Sequence, residues 1–229
     1  MHHTRALLIS SSTVHGYGFL DQPEPFIRDF LGDVKRVHFV PFALHDHDAY
    51  TATVSERLGR MGFEVVPLRT REELGAAEAV FVGGGNTWRL LKTLYERELV
   101  EAIREAVKRG LPYIGSSAGS NIAAPTIKTT NDMPIVEVPS MNALGIVPFQ
   151  INPHYLDADP GSTHMGETRE ERISQFHEEN VTPVIGLREG TALLAEHGTT
   201  TLLGRTTARV FLKRQEPYEV EPGTRIELP

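Results

Sequence analysis

Strand-length apolar runs alternate with segments of helical spacing along the first half of the chain. The apolar runs are rich in Val, Ile, Leu and Phe and occupy 6–9, 37–42, 63–68, 79–82 and 111–115. Helical spacing extends from Thr51 to Met61 and, as one long segment, from Thr87 to Arg109. Near-continuous apolar strands separated by helices are typical of a parallel sheet covered by helices on both faces. The pattern therefore predicts an α/β fold with a mostly parallel sheet.

The C-terminal portion of the chain has a different pattern. Short apolar runs with tight turns between them occupy 184–187, 192–194, 200–203 and 210–212. We expect these extra short strands to close or flank the main sheet. No Pro/Ser-rich linker or charge block interrupts residues 1–229, so we expect a single domain.

A serine with small neighbours lies at the end of the apolar run 111–115. The sequence Gly-Ser-Ser-Ala-Gly at 115–119 has the pattern G-x-S-x-G around Ser117, and 121–124 can open a helix after it. Strand, tight turn and helix form a nucleophile elbow, in which the serine projects from a strained turn and the next amide faces a developing oxyanion. The alternative is an ordinary turn rich in glycine and serine.

Two further polar or glycine-rich segments, 10–12 and 83–86, also follow predicted strands, where ligands of parallel sheets bind. Three glycines at 83–85 let backbone amides approach a ligand, and one amide can pair with that of Ala118 as an oxyanion donor. Asn86 or Thr87 is suited to cap the following helix. A phosphate-binding turn is the rival interpretation, but the spacing fits neither G-x-G-x-x-G nor a P-loop. A simple turn explains one glycine better than three.

Composition excludes several classes of protein. The formal net charge is −7 with acids and bases interspersed, which argues against binding to nucleic acid or an anionic membrane surface. The chain has no cysteine, so a thiolate nucleophile and disulfides are ruled out. The first apolar run is too short for a signal peptide, and no stretch is long enough to span a membrane. We expect a soluble cytoplasmic protein.

One of the ten histidines is suited to act as the base for Ser117. His154 lies in Asn-Pro-His-Tyr at 152–155, directly after the strand-like segment 147–151, and Pro153 stiffens the backbone there. An ordinary buried histidine is the alternative. The cluster His-Asp-His-Asp at 45–48 is the most metal-like group, but no third set of ligands is evident, so we expect an exposed loop and no metal or cofactor.

Five motifs along the chain resemble, in the same order, those of the peptidase E family. They lie at 83–87, 113–119, 129–135, 150–154 and 166–170, and the run Thr-Thr-Asn-Asp-Met-Pro-Ile at 129–135 is uncommon. The resemblance extends from about Leu7 to the final strands. It implies a serine α-aspartyl dipeptidase on a fold like that of the class I glutamine amidotransferases.

The resemblance also implies catalytic residues. The family's elbow serine corresponds to Ser117 and the histidine of Asn-Pro-His to His154. Its glutamate at a strand end corresponds to Glu189, in the segment 185–190. Glu189 would accept the second imidazole N–H and fix the tautomer. Asp132 is the competing candidate for this acid; otherwise it would hold its loop in shape or contact the substrate's ammonium group.

The implied oxyanion donors are the amides of Gly85 and Ala118. The implied substrate is a dipeptide with an N-terminal aspartate, whose β-carboxylate suits an arginine, and Arg169 is the candidate. The alternative for Arg169 is an exposed helix residue paired with a neighbouring glutamate. Ser116 stands where relatives carry a bulky aromatic residue before the nucleophile. The resemblance therefore does not define the residues that line the pocket. The remaining candidate substrate-binding residues are Asn86, Thr129, Asn131 and Asp132.

Three other functions compete with this interpretation. A cyanophycinase-like serine peptidase would cut a β-aspartyl-arginine polymer. A glutaminase is disfavoured because Ser117 replaces the cysteine that forms the thioester in such enzymes. A non-catalytic module is disfavoured because all three catalytic residue types are present. The only partner we expect is a small peptide, and relatives suggest a homodimer.

Overall fold

The main sheet is mostly parallel. The computed structural model describes residues 4–159, 161, 163 and 166–228. Over these residues the strands are β1 (Arg5–Ile9), β2 (Arg36–Val40), β3 (Glu64–Pro67), β4 (Ala79–Val82), β5 (Tyr113–Ser116), β6 (Gln150–Pro153), β7 (Val184–Leu187), β8 (Thr191–Glu196), β9 (Thr199–Gly204), β10 (Ala208–Phe211) and β11 (Tyr218–Val220). Seven of them form a sheet in the order β3-β2-β4-β5-β1-β8-β9. The first five are parallel, and β8 and β9 add antiparallel strands at one edge.

Helices cover both faces of this sheet, which confirms the predicted α/β fold. They are α1 (Glu24–Leu31), α2 (His47–Arg60), α3 (Thr87–Glu96), α4 (Leu99–Lys108), α5 (Ala118–Asn121) and α6 (Arg169–Glu179), with a short 3₁₀ helix at Glu72–Ala76. In β1, Leu7 and Ile9 pack with α1 and α2, whereas Ala6 and Leu8 pack with α3, α4 and α5. Because both faces of β1 are buried, its sequence is a continuous apolar run rather than an alternating one.

A second sheet carries part of the C-terminal portion. Its four strands run in the order β11-β10-β7-β6, and β6 and β7 are parallel. The expectation that the C-terminal strands close or flank the main sheet therefore holds directly for β8 and β9. The strands β7 and β10 instead pair with each other in the separate sheet.

Three local predictions are wrong in their boundaries. The single long helix expected from Thr87 to Arg109 is two helices, because Glu98 adopts a left-handed φ of 56° between them. The helix after Ser117 begins at Ala118 rather than Asn121. The strand before His154 begins at Gln150 and not at 147, and the sequence pattern does not predict α1 or β11.

None of the described helices combines the length and the apolar composition that crossing a bilayer requires.

A buried histidine in β2 makes the stability of the fold depend on pH. His38 is 3% exposed, and its Nδ1 has no hydrogen-bond partner among the described residues. Burial, aided by Arg36, lowers the pKa of His38, so the folded state favours the neutral ring. The neutral ring is therefore stabilising above the unfolded-state pKa of about 6.5, and this stabilisation is lost as the pH falls below that value.

We expect His38→Leu to flatten this part of the pH dependence. Between pH 7.5 and 5, the wild-type free energy of unfolding should fall more steeply than that of the variant, with a difference in slope of at most about 1.4 kcal/mol per pH unit. Urea unfolding at several pH values measures it, with His15→Gln on the exposed surface as the control. Parallel curves for wild type and His38→Leu would contradict the assignment.

Candidate active site

Ser117 lies on a strained turn between β5 and α5. Its φ of 52° and ψ of −108° are rare for a residue with a side chain, and such strain is typical of a nucleophile elbow. The Ser117 N–H donates to the carbonyl of Ile9 at 2.9 Å, and the Ser117 carbonyl accepts from the amides of Ser120 and Asn121. The turn is thus held from both sides.

The small residues of the G-x-S-x-G motif are required by close backbone packing. A Cβ atom on Gly115 would lie 2.5 Å from the carbonyl oxygen of Gly119, and one on Gly119 would overlap the carbonyl oxygen of Val82. The buried Tyr113 hydroxyl donates to the same Gly119 carbonyl at 2.6 Å. Helix α5 therefore lies directly against the backbone of β4 and β5, and this position aims Ser117 outward.

The imidazole of His154 bridges the serine and a carboxylate. Ser117 Oγ lies 2.8 Å from His154 Nε2, and His154 Nδ1 lies 2.9 Å from Glu189 Oε1. His154 follows β6 with a left-handed φ of 53°, and Glu189 follows β7. The His154 and Glu189 side chains are 39% and 44% exposed, so the site is open to solvent. This geometry suits proton transfer from the serine to the ring.

Asp132, the competing acid, lies elsewhere. Its Oδ2 accepts from the Thr87 amide at 2.7 Å and from the Thr87 hydroxyl at 2.6 Å, at the start of α3. The Trp88 indole N–H donates to the Asp132 carbonyl. A carboxylate at a helix N-terminus is stabilised by the free amides and the helix dipole there. The structure thus brings Glu189 to the imidazole, and it brings Asp132 to the helix that follows the triple glycine.

The glycine-rich loop lies against Ser117. A Cβ atom on Gly84 would be 3.1 Å from the Ser117 Cβ, and one on Gly83 would be 2.6 Å from the Tyr50 hydroxyl. Burial raises the pKa of Tyr50 to about 12, so this hydroxyl stays neutral. Gly85 has a φ of 133°, which disfavours a side chain. Among the described residues, the backbone amides of Gly85 and Ala118 have no hydrogen-bond acceptor.

Three of the predicted substrate-binding side chains are occupied by hydrogen bonds within the protein. Asn86 caps α3, as predicted, by accepting from the Arg89 amide, and its amide nitrogen donates to the carbonyl of Met133. Thr129 is buried, and its hydroxyl donates to the carbonyl of Ile151.

Asn131 donates to the carbonyl of Pro153 at 2.7 Å and accepts from Asn152. Thr129 and Asn131 therefore hold β6, the strand that leads to His154.

Arg169 begins α6 and is half-buried. Among the residues that the structure describes, Arg169 forms no ion pair with a neighbouring glutamate, which was the alternative. Glu167 contacts Arg172, Glu170 contacts Arg209, and Glu171 closes a capping box with Thr168, so each acid is engaged elsewhere.

No acid lies within ion-pair distance of Arg169 in the described part of the chain. Burial, with a smaller effect of Arg172, lowers the pKa of Arg169, and Asp132 acts in the opposite direction. A half-buried guanidinium without a counter-ion is suited to bind a carboxylate.

Sequence reasoning did not single out Ser10, which contacts the segments of His154 and Glu189. The Ser10 hydroxyl accepts from the His154 amide and donates to the carbonyl of Leu187. Its only sequence signal was a polar residue directly after an apolar strand. The cluster at 45–48 has a structural role in part, because Asp46 caps α2. In the described residues no three His, Asp or Glu side chains are placed to hold a metal ion.

A serine hydroxyl, an imidazole and a carboxylate at the strand ends of an α/β fold define the class of protein, a serine hydrolase. Residues 6–203 match the model of peptidase family S51. The chain is 53% identical over 222 residues to peptidase E of Streptomyces coelicolor, covering 95% of this chain and 91% of the relative. It is 51% identical over 223 residues to the probable alpha-aspartyl dipeptidase of Drosophila melanogaster, covering 94% and 93%.

Solved structures of other proteins share the fold. A putative peptidase E protein from Listeria monocytogenes EGD-e superposes with a TM-score of 0.67 and 22% identity, covering 89% of this chain and 99% of that one. A peptidase from an acI-B1 actinobacterium superposes with a TM-score of 0.71 and 17% identity, covering 100% and 99%.

The chain belongs to peptidase family S51 and is a serine-type peptidase.

We expect Gly119→Ala to disable the site by pushing α5 away from β4. Overpacking of this kind costs about 1–3 kcal/mol of stability, and displacing the nucleophile should lower activity by about 10²-fold. The matched control is Gly59→Ala in α2, where a Cβ meets nothing within 4 Å and should stabilise the helix by up to about 1 kcal/mol. Peptidase assays and urea unfolding check both variants. Full activity in Gly119→Ala would show that the close packing is dispensable.

Proposed function

We propose that this chain hydrolyses dipeptides with an N-terminal aspartate through an acyl-enzyme on Ser117, with His154 as the base and Glu189 as the orienting acid. The observation that carries the proposal is the continuous contact from Ser117 through His154 to Glu189 in a member of family S51. The substrate class agrees with the name of the relative from Drosophila melanogaster, an alpha-aspartyl dipeptidase.

The contacts support an order of proton transfers. His154 Nε2 takes the proton of Ser117 as the oxygen attacks the peptide carbonyl, and the ring then gives that proton to the departing amine. Water hydrolyses the acyl-enzyme by the same route in reverse. Glu189 accepts the Nδ1–H, which leaves Nε2 free to act as base, and it stabilises the imidazolium that forms. Gly85 and Ala118 supply the two N–H groups for the oxyanion, because neither amide has an acceptor among the described residues.

Asp132 has a supporting role in this proposal. It holds the first turn of α3 through Thr87, and that helix follows directly after Gly85. The second carboxylate oxygen of Asp132 makes no hydrogen bond among the described residues, so it is available for the substrate's ammonium group.

The substrate's β-carboxylate binds Arg169 in this proposal. The support is the half-burial of Arg169 and the engagement of its acidic neighbours with other groups. Asn86, Thr129 and Asn131 then position the site rather than touch the substrate, since their polar side-chain atoms are used within the protein. A cytoplasmic location, a homodimer and a single domain stay predictions.

The first test separates the two candidate acids. Glu189→Gln should lower kcat by on the order of 10³–10⁴-fold with little change in KM, because only ring orientation and charge are lost. Asp132→Asn should raise KM more than it lowers kcat. Ser117→Ala sets the background, since losing a nucleophile costs on the order of 10⁴-fold or more. If Asp132→Asn is crippled in kcat while Glu189→Gln stays active, the triad is assigned to the wrong acid.

The second test addresses the substrate. Asp-Leu should be cleaved at least about a hundredfold more efficiently than Asn-Leu, because Asn-Leu leaves a desolvated arginine without a partner. Arg169→Met should abolish this preference by lowering activity on Asp-Leu alone. The matched control is Arg172→Met, three residues along the same helix on an exposed surface.

The dipeptide β-Asp-Leu tests the competing substrate class. Preferential cleavage of β-Asp-Leu would replace the proposal by the cyanophycinase-like function. Unchanged discrimination in Arg169→Met would move the carboxylate site elsewhere and leave the dipeptidase function intact.

A further inference from the structure

The end of β1 contacts all three segments that carry the proposed triad. The Ile9 carbonyl accepts from the Ser117 amide at 2.9 Å and from the Ser120 hydroxyl at 2.7 Å. The next residue, Ser10, is fully buried. Its hydroxyl lies between the backbone of His154 and that of Leu187, two residues before Glu189.

We infer that Ser10 is a positioning residue for catalysis, which holds the base and the acid in register with the nucleophile. The inference rests on the proposed function of Ser117, His154 and Glu189. Ser10 makes no contact with the triad side chains among the described hydrogen bonds, and it acts through their backbones.

The hydrogen bonds of Ser10 have a fixed direction. Its single hydroxyl proton is donated to the Leu187 carbonyl at 2.6 Å, and the His154 amide donates to the hydroxyl oxygen at 3.1 Å. The ladder between β6 and β7 ends at Pro153 and Leu187. Beyond it, the Tyr155 amide still donates to the Leu187 carbonyl at 3.1 Å. Ser10 bonds to that same carbonyl and to the His154 amide, so it joins the end of β1 to both segments at the point where the triad residues begin.

The backbone of Ser10 supports the acid as well. Its amide donates to the Thr191 carbonyl at 3.0 Å, and the Thr191 hydroxyl donates to the Arg188 carbonyl at 2.5 Å. These bonds close the turn that contains Glu189. The position of Glu189 is thus fixed relative to β1 on both sides of the turn.

His154 needs such a support because its backbone is strained. A φ of 53° costs energy for a residue with a side chain and persists only where the surroundings impose it. Without the Ser10 hydroxyl, the His154 amide loses its acceptor. The backbone can then relax and move the imidazole ring away from Ser117. A displacement of about 1 Å at a catalytic group can cost about 10²-fold in rate.

The experiment compares Ser10→Ala with Ser11→Ala. Ser11 is the matched control, because it is the adjacent buried serine and, within the described part of the chain, its hydroxyl bonds only to Thr13. We expect Ser10→Ala to lower kcat for Asp-Leu by about 10²-fold, with KM changed less than about threefold. Ser11→Ala should stay within about threefold of wild type in kcat.

Two further measurements separate positioning from a loss of folding. The rate at which a fluorophosphonate labels Ser117 should fall in Ser10→Ala in proportion to kcat, with the folded fraction fixed by circular dichroism at the assay temperature. Ser10→Thr keeps the hydroxyl, so its kcat should be at least about tenfold higher than that of Ser10→Ala. If neither alanine variant folds, Ser10→Cys, which keeps the size but bonds weakly, replaces Ser10→Ala in the same comparison.

Equal kcat losses in Ser10→Ala and Ser11→Ala, or a loss only in KM, would overturn the inference. Labelling of Ser117 at the wild-type rate in Ser10→Ala would overturn it as well. Failure of the proposed function gives a different result, because the wild-type protein would then be labelled at Ser117 but would not hydrolyse Asp-Leu. In that case the labelling rates of the two alanine variants still decide the role of Ser10.

Discussion

The contact between α5 and the backbones of β4 and β5 is the constraint on which the site depends. Gly115 and Gly119 have no side chains, so α5 can lie close to the backbones of β4 and β5. The chain can therefore turn from strand to helix over very few residues. The reversal forces Ser117 into a strained conformation that points its hydroxyl out of the sheet. The same close packing places the Gly84 backbone beside Ser117, so one contact brings together the proposed nucleophile and the loop that carries Gly85, a proposed oxyanion donor.

The proposed triad is divided between two sheets. Ser117 follows a strand of the seven-stranded sheet, whereas His154 and Glu189 follow adjacent parallel strands of the four-stranded sheet. The distance from His154 to Glu189 is thus set within one sheet. The distance from Ser117 to His154 depends on how the two sheets are joined, and the hydrogen bonds from the end of β1 make that connection.

The sequence predicts those parts that local chemistry determines. The fold class follows from apolar strands that are buried on both faces, and the elbow follows from small residues around Ser117. The resemblance favoured Glu189 over Asp132, but the distance from Glu189 to the imidazole depends on the pairing of β6 with β7, which local patterns do not reveal. The break at Glu98 was hidden because its neighbours continue the helical spacing, and Ser10 was one of three consecutive serines with nothing to distinguish it.

The solvent exposure of His154 and Glu189 has a consequence for how the substrate takes part in the reaction. In water, an imidazolium and a carboxylate attract each other only weakly, because the solvent screens their charges. In the proposed mechanism, a dipeptide bound at Ser117 would displace water from the imidazole and so strengthen this attraction when the positive charge forms. The second residue of the substrate would then assist catalysis through the water that it displaces, even where it makes no specific contact with the protein.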